Sequence, residues 1–155
     1  MKTRIRLAAI AMAAAVPMTV LSGGVANATN IGQEGCTPGY WKNHTSNWEE
    51  YQPTTQLGTV FTALAGTKYA SMTLLQALSL KGGSGVDGAT QILLRAAAAA
   101  VLNAAHEDVG YPYRRFGEFK IIEKVNAALS SGNRAQMLNL ANTLDQANNL
   151  GCPLN

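Results

Sequence analysis

The residues most able to do chemistry lie in one stretch near the amino terminus, GCTPGYWKNHTSNWEEY, which holds four of the chain's ten aromatic side chains. If this stretch is helical, several of its rings recur at helical spacing and share one face. Together with Trp41, which follows Tyr40 directly, these residues form the candidate binding set Tyr40, Trp41, His44, Trp48 and Tyr51. Such a surface could stack sugar rings or anchor a protein partner. The alternative is that these rings cover an open end of the core.

Carboxylates and a histidine suggest a second kind of chemistry. Glycoside hydrolysis needs two carboxyl groups across a cleft, one of them kept protonated by its environment. The candidates are Glu49 or Glu50 facing Glu107 or Asp108, with His106 beside them. The sequence has no G-x-S-x-G motif, and acids in such positions are more often solvated helix ends. A small secreted hydrolase therefore stays an alternative, and no catalytic residue is assigned.

The two histidines raise a third possibility, which is metal binding. His44 and His106 could join Glu49, Glu107 or Asp108 in a set of nitrogen and oxygen ligands that zinc or copper accepts. Neither histidine lies in an H-E-x-x-H arrangement, so local spacing gives no support. His106 could equally cap the end of a helix, where a cation suits the helix dipole. We predict no metal site and no cofactor, and keep a metal-binding protein as a second alternative.

The first 28 residues have the organisation of a secretory signal peptide. Three basic residues precede an apolar run that ends at Leu21, and Ala-Asn-Ala at 26–28 supplies small side chains for cleavage. The apolar run is too short and wrongly flanked for a typical membrane-spanning helix. The sequence therefore predicts export, cleavage after Ala28, and a single domain over residues 29–155.

The net charge belongs to the predicted leader. The whole chain has 12 basic and 9 acidic residues, a formal charge of +3. Three of the basic residues lie in the leader, which leaves equal numbers of basic and acidic residues in the mature chain. A near-neutral domain without a basic run does not favour nucleic acid as a partner. No later apolar run is long enough to predict a membrane anchor after cleavage.

The two cysteines lie near opposite ends of the predicted domain. An even pair in an exported protein indicates a disulfide, so we predict a bond between Cys36 and Cys152. The alternatives are a reactive thiol and a metal ligand, but neither cysteine belongs to a C-x-x-C pair. The loop closed by this disulfide would enclose almost the whole domain.

The pattern between the cysteines is helical throughout. ATQILLRAAAAAVLNAAHED is free of glycine and proline and apolar on nearly every side, which predicts a buried central helix over about residues 90–107. KGGSGVDG at 81–88 is predicted to be a flexible loop. Shorter amphipathic helices are expected near Pro38, after Thr73, and on the carboxyl side of GYPYRRFG. With no sustained alternation of period two, we predict an all-α fold, a compact helical bundle with its ends joined by the disulfide.

Three segments together resemble a recurring pattern in uncharacterised secreted bacterial proteins: GCTPGYWKNH near the start, ILLRAAAAAVLNAAH in the middle and NNLGCPL at the end. The resemblance covers most of the predicted mature chain. It implies an extracellular domain, sometimes found within larger surface proteins, and it transfers no catalytic residue to this sequence.

These features favour a secreted or cell-surface domain that acts by binding or scaffolding, without catalysis. The expected partners are a cell-wall or extracellular glycan or a surface protein. We place the expected contact surface on the five aromatic and histidine residues of the amino-terminal stretch.

Overall fold

The computed structural model describes residues 32–117 and 120–154, and within these ranges the chain forms six α-helices and no β-strand. The helices are α1 Pro38–Asn43, α2 Leu57–Val60, α3 Leu74–Ala77, α4 Gly85–Ala105, α5 Ile121–Ser130 and α6 Arg134–Asn148. Two short 3₁₀ helices, Thr45–Asn47 and Thr62–Leu64, follow α1 and α2. The predicted all-α class is confirmed. The predicted leader and its cleavage site lie outside the described residues.

Local capping signals fix where several helices begin. The Thr37 hydroxyl accepts the N–H of Tyr40 at 3.1 Å, and Pro38 occupies the first turn of α1. At the start of α3, Thr73 and Gln76 form a reciprocal capping box with distances of 2.9 and 3.2 Å. These caps were predictable because each depends on residues three positions apart in the sequence.

Helix α4 is buried along most of its 21 residues and packs against α1, α3, α5 and α6. Its five consecutive alanines, 96–100, are almost entirely buried, and their small side chains let the neighbouring helices approach closely. Among the described helices, α4 is long and apolar enough to cross a membrane, but 67% of its most apolar window is buried inside the fold. Its apolar character is therefore accounted for by packing within the domain.

The glycine-rich stretch before α4 differs from the prediction. Helix α4 begins at Gly85, so only residues 81–84 remain outside it. A Cβ atom at Gly88 would lie 2.0 Å from the carbonyl oxygen of Gly83, so the segment folds back onto the first turn of the helix. The glycines here allow two backbone segments to touch. Glycine content alone is the same for a flexible loop and for such a close backbone contact, so the sequence could not separate the two.

This close approach predicts an unusual response to Gly88→Ala. Alanine favours a helix over glycine by about 1 kcal/mol, but here its methyl group would collide with backbone that cannot rotate away. We expect the free energy of unfolding, measured by urea denaturation, to fall by about 1–3 kcal/mol. Gly39→Ala in α1 is the control, because its Cβ would meet nothing nearer than 3.7 Å. Equal stability changes in both variants would contradict this packing.

The predicted disulfide is present. Cys36 and Cys152 are bonded, with Cα atoms 4.4 Å apart and a sequence separation of 116. Beside it, the N–H of Gly35 donates to the carbonyl of Gly151 at 2.9 Å, so backbone pairing also joins the two ends. A disulfide of this kind indicates an oxidising environment.

Beneath the disulfide, the buried side chain of Asn103 forms four hydrogen bonds. Its Oδ1 accepts the backbone N–H of Cys36 at 2.7 Å and the indole N–H of Trp41 at 3.1 Å. Its Nδ2 donates to the carbonyl of Cys36 at 2.8 Å and to Oδ1 of Asn148 at 3.0 Å. The side-chain amide of Asn103 on α4 is thus hydrogen-bonded to the backbone of Cys36, to Trp41 on α1 and to Asn148 on α6.

A second buried amide extends this network towards the loop after α4. Asn148 donates to the carbonyl of Ala96 at 3.0 Å and accepts the hydroxyl of Tyr111 at 2.8 Å. Burial raises the pKa of Tyr111, so its hydroxyl stays protonated and acts as a donor throughout the physiological range. Every buried side-chain nitrogen and oxygen in the described residues has a hydrogen-bond partner.

Candidate functional site

Trp41 does not belong to an exposed aromatic surface, which corrects the prediction for this residue. Its side chain is fully buried, and its indole N–H is bonded to Asn103. Helix α1 packs on α4, and the ring fills the space between them while finding a partner for its single donor. Trp41 is therefore a core residue and cannot stack a ligand.

Tyr40 and His44 do lie one helical turn apart and stack, with ring centroids 4.2 Å apart. The Tyr40 hydroxyl donates to the carbonyl of Leu154 at 2.5 Å and accepts from Asn47 at 2.7 Å. Tyr40 thus secures the carboxyl-terminal end of the described chain against α1. Its ring is half-buried, while His44 is exposed.

The single helical face expected for this stretch does not continue beyond His44. Helix α1 ends at Asn43, and Trp48 has extended backbone angles after the intervening 3₁₀ turn. Trp48 is half-buried and donates its indole N–H to the carbonyl of Trp41 at 2.9 Å. Tyr51 makes a separate contact, with Arg115. Tyr51 lies beneath the guanidinium group of Arg115, 5.7 Å from ring centroid to Cζ.

The acids proposed for a hydrolase are used in two separate contacts. Glu49 accepts the backbone N–H of Glu107 at 2.8 Å and lies 3.7 Å from Nε2 of His106. Glu50 instead forms a two-pronged ion pair with Arg115, at 2.5 and 2.7 Å. In the described part of the chain, no three residues among His, Cys, Asp and Glu form a group that could hold a metal ion.

The structure brings a different set of side chains together in the loop between α4 and α5, GYPYRRFG at 110–117. Backbone contacts hold both ends of this loop. At one end, Gly110 donates to a carboxylate oxygen of Glu34 at 2.7 Å. At the other, the carbonyls of Arg114 and Arg115 accept the first N–H groups of α5 at 3.0 and 3.1 Å. The loop is therefore fixed to the helical framework at both ends.

Arg115 is the central side chain of the loop. Its guanidinium group lies between the rings of Tyr51 and Phe116, 5.7 and 5.4 Å from their centroids. Burial is the largest single influence and lowers the pKa of Arg115, but the interactions with Glu50 and Tyr51 together outweigh it, and the net shift is upward. This charge is thus already balanced by Glu50.

The loop borders an open hollow of about 420 Å³ on the surface, which we call the cationic hollow. It is lined by Tyr111, Tyr113, Arg114, Arg115, Phe116 and Lys120, above Ala104 and Val109. Arg114 and Lys120 make no ion pair with another described residue, unlike Arg115. Phe116 is 61% exposed and Tyr113 is 36% exposed, so ring surface faces water beside these two cations.

Phe116 also lines a second hollow of about 310 Å³, which we call the threonine hollow. It is lined by Glu50, Tyr51, Thr55, Thr59, Val60, Phe116 and Ile122. Tyr51 is the member of the predicted binding set that borders it. The predicted surface and the observed hollows therefore share one residue.

The segment 110–117 is not among the predicted site residues. A signal was present, because three aromatic and two arginine side chains fall within eight residues. No family model, curated protein or solved structure matches this chain. The geometry and charge of the two hollows are therefore the basis for a functional assignment.

Proposed function

We propose that this chain is a secreted binding domain that recognises an acidic glycan through the cationic hollow. The observation that supports this is a pair of cations, Arg114 and Lys120, that lack ion-pair partners among the described residues and lie beside exposed rings. A sugar that carries a carboxylate presents a charge for the cations and a C–H face for the rings. Both features are needed to match what lines the hollow.

The charges favour this class of ligand over neutral sugars. Charge-assisted hydrogen bonds from arginine or lysine to a carboxylate are roughly twice as strong as neutral ones. Arginine additionally offers a planar fork that matches two carboxylate oxygens. Because the predicted mature chain as a whole carries equal numbers of basic and acidic residues, the attraction is local to this hollow, and added salt should weaken it.

The shape also suits a small ligand. Sites for small molecules are usually concave, about 300–1,000 Å³ in volume, and lined by aromatic and apolar groups with a few polar ones. The cationic hollow, at about 420 Å³, falls within this range. Tyr113 and Phe116 can offer stacking area at low entropic cost, since each ring has only two rotatable side-chain bonds.

In this proposal the remainder of the domain is a scaffold without catalytic activity. The helices form a compact bundle around α4, and the disulfide and the buried amides hold the segments from which the loop projects. The disulfide supports action in an oxidising compartment outside the cytoplasm. The proposed partners are acidic polymers of a cell wall or extracellular matrix, in keeping with the resemblance to secreted bacterial proteins.

Calorimetric titration with trigalacturonate tests the proposal, with the neutral trisaccharide maltotriose as the matched ligand. We expect binding of the acidic ligand alone. Arg114→Ala or Lys120→Ala should each raise its Kd by about fivefold to tenfold, which corresponds to losing one partly exposed charged hydrogen bond. Lys81→Ala removes an exposed lysine outside the hollow and is the control, with no expected change.

Two outcomes would contradict the proposed function. The first is equal binding of trigalacturonate and maltotriose, which would remove the role of charge. The second is an equal loss of affinity in Lys81→Ala and Arg114→Ala, which would indicate non-specific attraction. Thermal unfolding of each variant checks that affinity is lost without loss of the fold.

A further inference from the structure

The two hollows share one exposed ring, that of Phe116. Because it lines both of them, a ligand that occupied both hollows would contact this ring. The Arg115–Glu50 ion pair crosses the same boundary, with the arginine lining the cationic hollow and the glutamate lining the threonine hollow. A ligand longer than one sugar could therefore lie over Phe116 with a unit on either side.

The threonine hollow has a different charge from its neighbour. Among the described residues that line it, the one that is charged at neutral pH is Glu50, with a side chain that is 54% exposed. Arg115 neutralises this group, and a second carboxylate placed there would still lie close to it without a cation of its own. An acidic sugar is thus disfavoured in the threonine hollow, whereas a neutral one meets no such cost.

The hydroxyl groups of this hollow can pair with neutral sugar hydroxyls. The Thr55 hydroxyl oxygen accepts the N–H of Gln52 at 3.0 Å, so its own hydrogen is available to donate. The Thr59 hydroxyl donates to the carbonyl of Gln56 at 2.7 Å, so its oxygen lone pairs are available to accept. One donor and one acceptor therefore face the same space.

Apolar surface completes the threonine hollow. Val60 and Ile122 line it together with the ring of Tyr51, which is the kind of surface that packs against sugar C–H groups or an acetamido methyl group. The arrangement offers ring and apolar contacts, two hydroxyls and no uncompensated cation. It is the complement of a neutral amino sugar or neutral hexose.

We infer that the ligand is a glycan in which an acidic sugar is followed by a neutral one, bound with the acidic unit in the cationic hollow and the neutral unit in the threonine hollow. This inference rests on the proposed function and adds the order of sugars to it. Phe116 contacts both units, and selectivity comes from the change of charge across it.

The test compares three probes by calorimetry: glucuronate alone, a tetrasaccharide that alternates glucuronate with N-acetylglucosamine, and all-acidic tetragalacturonate. We expect the alternating tetrasaccharide to bind about tenfold more tightly than either of the others, the amount expected from one added ring contact and its hydrogen bonds. Tyr51→Phe, which keeps the ring, should retain the gain.

A threonine variant gives a second, milder test that does not disturb the ion pair. Thr59→Val should reduce the affinity for the alternating tetrasaccharide by about threefold while leaving glucuronate binding unchanged. Thr143→Val is the matched control, since Thr143 is exposed and its hydroxyl also donates to a carbonyl of its own helix, at 3.0 Å.

The outcomes separate this inference from the proposed function. If glucuronate binds but the alternating tetrasaccharide is no tighter than tetragalacturonate, the inference is overturned and the acidic-glycan function stands. The inference is likewise overturned, and the function retained, if Thr59→Val weakens glucuronate as much as the tetrasaccharide. If none of the three probes binds, both proposals are overturned.

Discussion

Removal of the Cys36–Cys152 disulfide is expected to lower the free energy of unfolding by about 3–5 kcal/mol. The bond joins residues 116 positions apart, so its loss frees nearly the whole unfolded domain from one long loop constraint. Since domains of this size are stable by only about 5–15 kcal/mol, such a loss is a large share of the total stability. The urea concentration at the unfolding midpoint should therefore fall markedly. The measurement is urea denaturation of the oxidised protein and of the double variant Cys36→Ala/Cys152→Ala.

Reductant supplies the control for this prediction. Dithiothreitol should shift the unfolding midpoint of the natural sequence to that of the double variant, and should leave the double variant where it was. If the oxidised natural protein and the double variant unfold at the same urea concentration, the disulfide contributes nothing and the prediction is wrong. The Gly35–Gly151 backbone pairing would then be sufficient to hold the two ends together.

Asn103→Leu should be comparably destabilising, by about 3–5 kcal/mol, although leucine is larger in apolar area and a good helix former. The substitution leaves the backbone N–H and carbonyl of Cys36 and the indole N–H of Trp41 buried without partners. Each unsatisfied buried group costs about 1–3 kcal/mol. Asn148 Oδ1 loses the hydrogen bond from Asn103 but keeps the one from Tyr111, so it remains partly satisfied.

Denaturation in urea measures this effect, and Asn139→Leu serves as the control on the exposed face of α6. We expect the control to change stability by less than about 0.5 kcal/mol. Tryptophan fluorescence gives a second readout, because the environment of the Trp41 indole should change in Asn103→Leu and stay constant in Asn139→Leu. A fully stable Asn103→Leu would show that the amide network is dispensable.

The disulfide and Asn103 act on the same corner of the molecule, so their effects should not add. Asn103 bonds to both backbone groups of Cys36, and the disulfide fixes the same residue covalently. A double-mutant cycle that combines the two changes should therefore give a coupling energy of about 0.5–3 kcal/mol. Through Asn148 and Tyr111 the same network reaches the cationic hollow, so this corner also supports the proposed site.

Features of the fold that depend on neighbours in sequence could be predicted. The capping box at Thr73 and the threonine cap before Pro38 involve residues three positions apart, and the alanine-rich segment favours a helix by intrinsic propensity. The disulfide was predictable for a different reason, since two cysteines allow one intramolecular pairing. The all-α class follows from these elements.

Features that depend on contact between distant segments could not be predicted. Trp41 resembles an exposed aromatic in a polar stretch, and only its position against Asn103, 62 residues away, makes it part of the core. The glycines before α4 resemble a flexible loop, and only the contact of Gly88 with Gly83 shows that they pack. In both cases the environment of a side chain is set by a partner that the local pattern does not contain.

The candidate site shows the same division. The order of residues places two arginines and three aromatic side chains within residues 110–117, and this much is visible without coordinates. Which of these charges is free depends on folding: Glu50 neutralises Arg115 from 65 residues away, while Arg114 and Lys120 have no such partner among the described residues. Charge pairing acts through space over a few ångströms, and the chain's path sets those distances.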